Sequence, residues 1–438
     1  MLEVHCTYRA IIRNHSQVAD SLDRHGWSAS KLWNVANYHS REVWEETGKI
    51  PDHEELKDEL KSHPTYKGLH SQSSQRVLEE LAEAFNSWYS SDDDRDNPPG
   101  YRKENYYDDQ GRRVHEEHPR STVTWKQNGI RHDTKNNRVR LSKGADHKEH
   151  PKAWEYILVE YETRPGVTVE NLQQVRAVYD NLKERWELHF ICKDKIKTPD
   201  APGNETAGID LGISNFAAVA YSTEEADLYP GNRLKQDGYY FPKEIANCDD
   251  SGGNTATRLH HKWSERRTHF FHSLVKHIVE RCVEKGVGHI NVGDLEGVRD
   301  DETGEAKNWG THGNLDLHGW AFDRFISILE YKATVAGITV VEVSERDTSK
   351  TCCVCEKKDE SQRVDRGLYV CEDCDAAFNA DVNGAENIRL NINKESNSKS
   401  STNLCEDRST GWLAQPEVYL HDLSSGFQPQ EQVVDCKP

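Results

Sequence analysis

The 438-residue chain is 35 % hydrophobic and 30 % charged, with a mean hydropathy of −0.90. No apolar run approaches the roughly 18 to 20 residues that cross a bilayer, which excludes a helical membrane protein. Its 75 acids against 56 lysines and arginines give a formal net charge of −19. That balance argues against nucleic acid as a partner unless a local basic groove sits inside an acidic shell. An acidic surface also suits a salt-loving host, because it stays hydrated in molar salt, where the Debye length falls to about 3 Å. The opening residues, MLEVHCTYRAIIRNH, lack the apolar stretch of a secretory signal, so a cytoplasmic protein of two or three domains is expected.

Residues 1–15 read as a strand. Helices are predicted over 28–47 and 74–89, where Val77, Leu81, Phe85 and Trp88 recur at a spacing of three or four. SSDDDRDNPPGYRKE, residues 90–104, is a loop by composition. The runs STVTW, NRVRLS, YILVEY and WELHFIC, within 121–192, predict a small barrel or sandwich. A linker, KDKIKTPDAPGN, follows at 193–204.

From residue 205 the pattern becomes strand, hairpin, helix, strand, helix, strand. AGIDLGISNFAAVAYS supplies two strands. A long helix over 256–285 places Phe271, Leu274, Val275, Ile278 and Cys282 on one face. HINVGDL is the next strand, 315–336 a helix with Ala321, Phe325, Ile328 and Leu329 inward, and GITVVEVSE a third core strand. Such alternation indicates an α/β sheet. From 391, NINKESNSKSSTNL has the composition of a disordered tail.

Five of the eleven cysteines fall within 352–374. Cys352 and Cys355 form one C-x-x-C pair, and Cys371 and Cys374 form another. Four thiolates so spaced suit a structural Zn²⁺ with no open position, leaving Cys353 spare. Asp210, in GIDLGIS, alternates with Ile209 and Leu211 and so points to the opposite face of its strand. Alone it could cap a turn, hold a metal or sit in a phosphate loop. Asp381, in FNADVNGAENI, opens a helical pattern with Asn383 and Asn387 at i, i+4, and could be only a helix cap. Two such acids with a third could hold two Mg²⁺ ions, which prefer hard oxygen ligands and together serve phosphodiester cleavage.

Together GIDLGISNFAAVA, EKGVGHINVGDL, LEYKATVAGITVVEV, TSKTCCVC and YVCEDCDAAFNADVNGAENI resemble the TnpB family over about residues 203–390. TnpB proteins are RNA-guided nucleases of insertion sequences, often called transposases and related to type V CRISPR effectors. NPPGYRK and ERWELHFIC resemble the family's N-terminal half. The resemblance implies an α/β ribonuclease H-like (RuvC) nuclease domain carrying a zinc ribbon, preceded by a wedge-type β-barrel with a helical insertion. It divides the chain into the first barrel strand at 1–20, a helical recognition insert at 21–95 and the rest of the barrel at 96–200. A RuvC-like domain at 203–345, a zinc ribbon at 346–378, a last RuvC segment at 379–392 and a disordered tail at 393–438 complete it. With the acidic composition, a halophilic archaeal source is expected.

The resemblance assigns Asp210 and Asp381 as the first and third RuvC acids. At the usual position of the second acid stands Gly293. Asp294 alternates to the other face, and Glu296 lies beyond the strand. Glu345 continues the face of Val341 and Val343 on the next strand, and it is the expected substitute. Asp210, Glu345 and Asp381 are thus the expected catalytic Mg²⁺ ligands, with guide RNA and double-stranded DNA as partners and no small-molecule cofactor.

Arg258, Lys262, Arg266 and Arg267 could track a phosphate backbone from one helix face. Tyr101, Arg102 and Lys103, like Trp125, Lys126, Arg138 and Arg140, could contact guide RNA. Trp27, Trp33 and Trp44 fit a helical core. The alternatives are a nuclease-dead RNA-guided DNA-binding regulator and, more remotely, an actin-like ATPase, whose first phosphate loop GIDLGISN also resembles.

Overall fold

A computed structural model describes residues 2–90, 97–102, 106–107, 113–114, 119–147, 155–196, 198–248, 253–294, 322–365, 367–391 and 410–430. The chain divides into two compact units, Met1–Ile196 and Lys197–Pro438. Among the described residues no helix is long and apolar enough to cross a membrane.

In the first unit strand β1 (Leu2–Ile12) runs into helix α1 (His15–Thr47), which ends on Gly48 in the left-handed region, its N–H donating to the Trp44 carbonyl. Asp52 opens α2 (His53–Leu60) with a capping box to Glu55; α3 (Pro64–Lys67) and α4 (Ser71–Tyr89) follow. Helix α1 starts well before residue 28, because its polar first half still buries Val18 and Leu22. Beyond a short hairpin, β2 (Tyr106–Tyr107) and β3 (Arg113–Val114), come β4 (Val123–Lys126), β5 (Ile130–Asp133), β6 (Arg138–Ser142), β7 (Tyr156–Thr163), β8 (Leu172–Asp180) and β9 (Arg185–Ile196). One sheet in the order β4-β8-β9-β1-β7-β6-β5 curls into a near-closed barrel, since its edge strands β4 and β5 are consecutive in the chain.

This packing redirects several residues expected at guide RNA. Trp125 is fully buried and donates to the Ser142 carbonyl, and Lys126 pairs with Glu79 at 2.7 Å. Arg102 lies 3.8 Å over the Trp33 ring, and its main chain is held by Asn34, so it fastens NPPGYR to α1. Tyr101 stays exposed beside Arg41. Arg138 pairs with Glu160, and Arg140 lies over Tyr156. Trp33 is core, Trp27 lies under Lys31, and Trp44 meets Trp88 edge-on. Lys103 lies outside the described residues.

The second unit opens with β10 (Glu205–Leu211), β11 (Asn215–Tyr221) and β12 (Glu225–Pro230), followed by α5 (Asn232–Ala246) and α6 (Asn254–Glu284). Then come β13 (Val287–Asp294), α7 (Phe322–Val335) and β14 (Thr339–Ser344). Strands β15 (Arg363–Asp365), β16 (Leu368–Cys371) and β17 (Ala376–Asn379) form a separate small sheet beside the four clustered cysteines, called the ribbon below, and α8 (Ala380–Leu390) follows. The main sheet runs β14-β13-β10-β11-β12 and continues into β18 (Glu417–Asp422) and β19 (Gly426–Pro429), with β10, β13 and β14 parallel and β11 antiparallel between β10 and β12.

Two of these strands correct the expectation of a disordered tail. After the short α9 (Gly411–Ala414), β18 (Glu417–Asp422) pairs parallel with β12, and β19 (Gly426–Pro429) folds back on it. Tyr419 and Phe427 are buried with Tyr229 and Phe270, apolar anchors that a polar composition average conceals. Likewise β14, expected in the core, is an edge strand with Val341 40 % exposed.

The sheet separates two cores. On one face Ile209, Leu211, Ile290 and Val292 pack with Phe270, Phe271, Leu274 and Phe325 of α6 and α7. On the other, Ala218, Ala220 and Leu228 pack with Val382 and Ala385 of α8 and with the ribbon's Tyr369 and Phe378.

Candidate active site and zinc ribbon

The period-two alternation of β10 buries Ile209 and Leu211 under α6 and α7 and turns Asp210 towards α8. Helix α8 meets Asp210 with a glycine: a Cβ on Gly384 would fall 2.6 Å from Asp210 Oδ2. Close approach therefore requires the missing side chain.

Asp381 lies in the first turn of α8, where an acid is commonly a cap. Here the cap is Asn379, whose Oδ1 accepts from the N–H groups of Asp381 and Val382 at 3.0 and 3.2 Å. The Asp381 carboxylate is left for other partners. It accepts a 2.8 Å bond from Asn215 Nδ2, and Arg363 Nη2 of β15 approaches its Oδ1 at 3.6 Å.

Glu345 follows β14 by one residue, and the register pairs Gly293 with Val343 and Asp294 with Ser344. A Cβ built on Gly293 would meet Glu345 Oε2 at 2.6 Å and Ile388 Cδ1 at 3.1 Å. The Glu345 carboxylate fills the space that a side chain at 293 would take. Asp294 is partly buried at the end of β13, and Glu296 lies outside the described residues.

Electrostatics tie the three acids together. Burial pushes Asp210 well above the usual carboxylate range, and the charges of Asp381 and Glu345 push it further; Arg363 opposes them. Burial, then the charge of Asp294, raises Glu345 to about 7. Burial raises Asp381 while Asn215 and Arg363 pull it down. The repulsion that Asp381 and Glu345 exert on the charged form of Asp210 is one that a nearby cation would relieve.

Sequence reasoning missed Asn215 and Arg363. Asn215 stands inside GIDLGISN without a role of its own there and Arg363 lies in no motif, and only the docking of β11 and the ribbon on α8 brings them to Asp381.

In the ribbon, Cys352 and Cys374 sulfurs are 3.8 Å apart and those of Cys355 and Cys371 3.5 Å. All four lie within 4.8 Å of one another, and among the described residues no other group of three or more His, Cys, Asp or Glu is so tight. Zn–S bonds of about 2.3 Å imply tetrahedron edges of about 3.8 Å, so the four thiols fit that ion. Cys353 is buried outside the set, its N–H donating to Asn383 Oδ1.

The basic face expected on α6 is split. Arg258 and Lys262 are exposed, but Arg266 makes a bidentate pair with Asp237 at 2.7 Å, and Arg267 is half-buried near Trp263. A fork already closed on a carboxylate is not free for phosphate.

Comparison with known proteins agrees with this layout. The OrfB_IS605 family model, described as "Probable transposase", matches residues 175–299, and the Cas12f1-like TNB domain matches 322–388. The TnpB-like protein ORF457 of Acidianus two-tailed virus is 24% identical over 406 residues, covering 82% of this chain and 80% of that protein. The CRISPR-associated endodeoxyribonuclease Cas12f1 of Sulfoacidibacillus thermotolerans is 26% identical over 236 residues, 50% of this chain and 53% of that one. A Cas12f1–sgRNA–target DNA complex contains a chain of similar fold, with a TM-score of 0.56 at 13% identity over 85% of this chain and 82% of that one. The chain is thus similar to OrfB-type transposases over one stretch and to the Cas12f1-like TNB domain over another. Over most of its length the chain is similar to a TnpB-like protein. These matches favour neither the nuclease-dead regulator nor the actin-like ATPase.

Proposed function

We propose that this protein is an RNA-guided DNA endonuclease of the TnpB type, cutting DNA at a RuvC-type site formed by Asp210, Glu345 and Asp381. The observation that carries the proposal is the Glu345 carboxylate seated over Gly293, on the sheet face that Asp210 and α8 share. The strand order β12-β11-β10-β13-β14, with only β11 reversed, supports a ribonuclease H-like sheet.

The three carboxylates would hold Mg²⁺, which when bound supplies Lewis-acid stabilisation and a nucleophilic water at neutral pH. Within the chain, Asn215 holds the Asp381 carboxylate in one orientation. Arg363, 38 % exposed, offers a guanidinium to a phosphate oxygen beside that carboxylate. The four ribbon cysteines would hold Zn²⁺ with no open position and so fix the loop that carries Arg363. Guide RNA would pair with one DNA strand and supply most of the sequence specificity, while the protein holds the heteroduplex backbone. The reaction belongs in the cytoplasm, and the acidic surface points to activity in high salt.

The test is to express the protein with its native flanking DNA, copurify its RNA and assay a matched DNA library with Mg²⁺ in high salt. Guide-dependent cleavage that disappears in Asp210→Ala and Glu345→Ala is expected. Guide-dependent binding by the wild type without cleavage would refute the nuclease and leave a DNA-binding regulator.

A further inference from the structure

Two buried asparagines of α8 are spent on a loop rather than on their own helix. Asn383 Nδ2 donates to the Thr351 carbonyl at 2.8 Å, and its Oδ1 accepts from the Cys353 N–H at 3.0 Å. Asn387 Nδ2 donates to the carbonyls of Thr348 and Thr351, at 2.8 and 2.7 Å. Both side chains are fully buried, as nearly are Thr348 and Thr351. A buried loop cannot satisfy all its own carbonyls, so these amides supply what water would elsewhere.

The gripped segment is short and has a candidate ligand at each end. Glu345 begins it: its carbonyl accepts from the Thr348 hydroxyl at 2.8 Å and from the Thr348 N–H at 3.2 Å. Cys352, the first ribbon thiol, ends it. The gripping helix carries Asp381 within a turn of Asn383, and its far end is tied to β13 by Asn291, which donates to the Ile388 and Arg389 carbonyls.

We propose that Asn383 and Asn387 are positioning residues that couple the zinc knuckle to the acid site, setting the distance between Glu345 and Asp381. The inference rests on the reading of Asp210, Glu345 and Asp381 as a cation site. The mechanism is geometric: the knuckle fixes Cys352, the two amides fix Thr348 and Thr351 against α8, and the Thr348 hydroxyl fixes the Glu345 backbone. A loosened latch leaves every ligand present but no longer in register, and such outer partners are commonly worth about 10- to 100-fold in metal affinity or activity.

The experiment uses the full chain and terbium(III), a hard cation that reports binding to carboxylates by luminescence. Asn383→Ala and Asn387→Ala are expected to retain zinc, read with a chromogenic chelator after denaturation. They are expected to raise the terbium midpoint about tenfold, with a parallel rise in the Mg²⁺ needed for half-maximal cleavage. Because a buried asparagine variant can fail to fold, Thr348→Val and Thr348→Ser form a second pair. The valine should shift the terbium midpoint in the same direction, and the serine, which keeps the hydroxyl, should behave as wild type. Midpoints within about twofold of wild type in all folded variants would overturn the proposal, as would terbium binding lost only in proportion to zinc. Asp210→Ala separates the two failures. If it leaves the terbium midpoint unchanged, the cation site itself is wrong and the coupling falls with it. If it abolishes terbium binding and the latch variants shift it, the coupling holds even where no DNA is cut.

Discussion

Gly293→Ala is the sharpest perturbation of the site, because it adds one methyl group where Glu345 lies. The new Cβ would meet Oε2 at 2.6 Å and Ile388 Cδ1 at 3.1 Å. Relief to an ordinary contact of about 3.4 Å displaces the carboxylate by about 0.8 Å, because a side-chain end gives before the backbone of two packed elements does. A displacement of that size at a ligand commonly costs about 100-fold in rate, close to 2.7 kcal/mol at the transition state. Stability should change by under about 1 kcal/mol, since alanine in a strand regains what glycine loses in chain entropy. Single-turnover cleavage and a urea melt, run side by side, separate the two effects. The companion variant Gly293→Glu in a Glu345→Ala background returns a carboxylate to the same space from the neighbouring strand and should cut faster than Glu345→Ala alone. Wild-type cleavage by Gly293→Ala, or a double variant as inert as Glu345→Ala, would refute the placement of the second acid.

Three further outcomes are expected. Arg363→Ala should lower cleavage by about 100-fold while zinc content and melting stay as in wild type, as for loss of a charged donor at a developing oxyanion; an unchanged rate would remove Arg363 from the site. The raised pKa of Glu345, about 7 against an ordinary 4.5, means that the metal-free fold is favoured at low pH and loses that contribution as pH rises through 7. Cation binding, which needs the ionised form, should therefore strengthen over the same range, and Asp294→Asn should move the terbium pH midpoint downward; no shift would show that Asp294 does not act on Glu345. A chain ending at residue 410 loses the buried Tyr419 and Phe427 and the Glu417 partner of Arg281, which also holds the buried Asp227. At about 1.5–3 kcal/mol for each large side chain, its urea midpoint should fall markedly, and an unchanged midpoint would mean that the hairpin contributes nothing to the unit.

What could be read in advance follows from how local each signal is. The cysteine spacing is local, and so is the alternation that turns Asp210 from Ile209 and sets Glu345 on the face of Val343. Sequence alone does not tell that Asn379 rather than Asp381 caps α8, since both lie at the same helix start. Non-local facts stayed hidden. Trp125 beside Lys126 has the composition of a base platform, yet the barrel closes over it. Arg266 keeps helical step with Arg258 and Lys262, but Asp237 of α5 claims it. Nothing around Asn215 or Arg363 announces Asp381 as a neighbour.

The parallel pairing of β18 with β12 has a consequence for synthesis. Asp227 leaves the ribosome long before Glu417, and the edge of β12 has no β18 partner until nearly 190 further residues have been made. The first unit, by contrast, holds β1 against β9 within its own residues and can fold while the second is still emerging. Nascent chains stalled before β18 therefore carry Asp210, Glu345, the ribbon and Asp381 on a sheet still missing its last two strands. Emergence of β18 and β19, rather than appearance of the last acid, is what completes the sheet that carries the site.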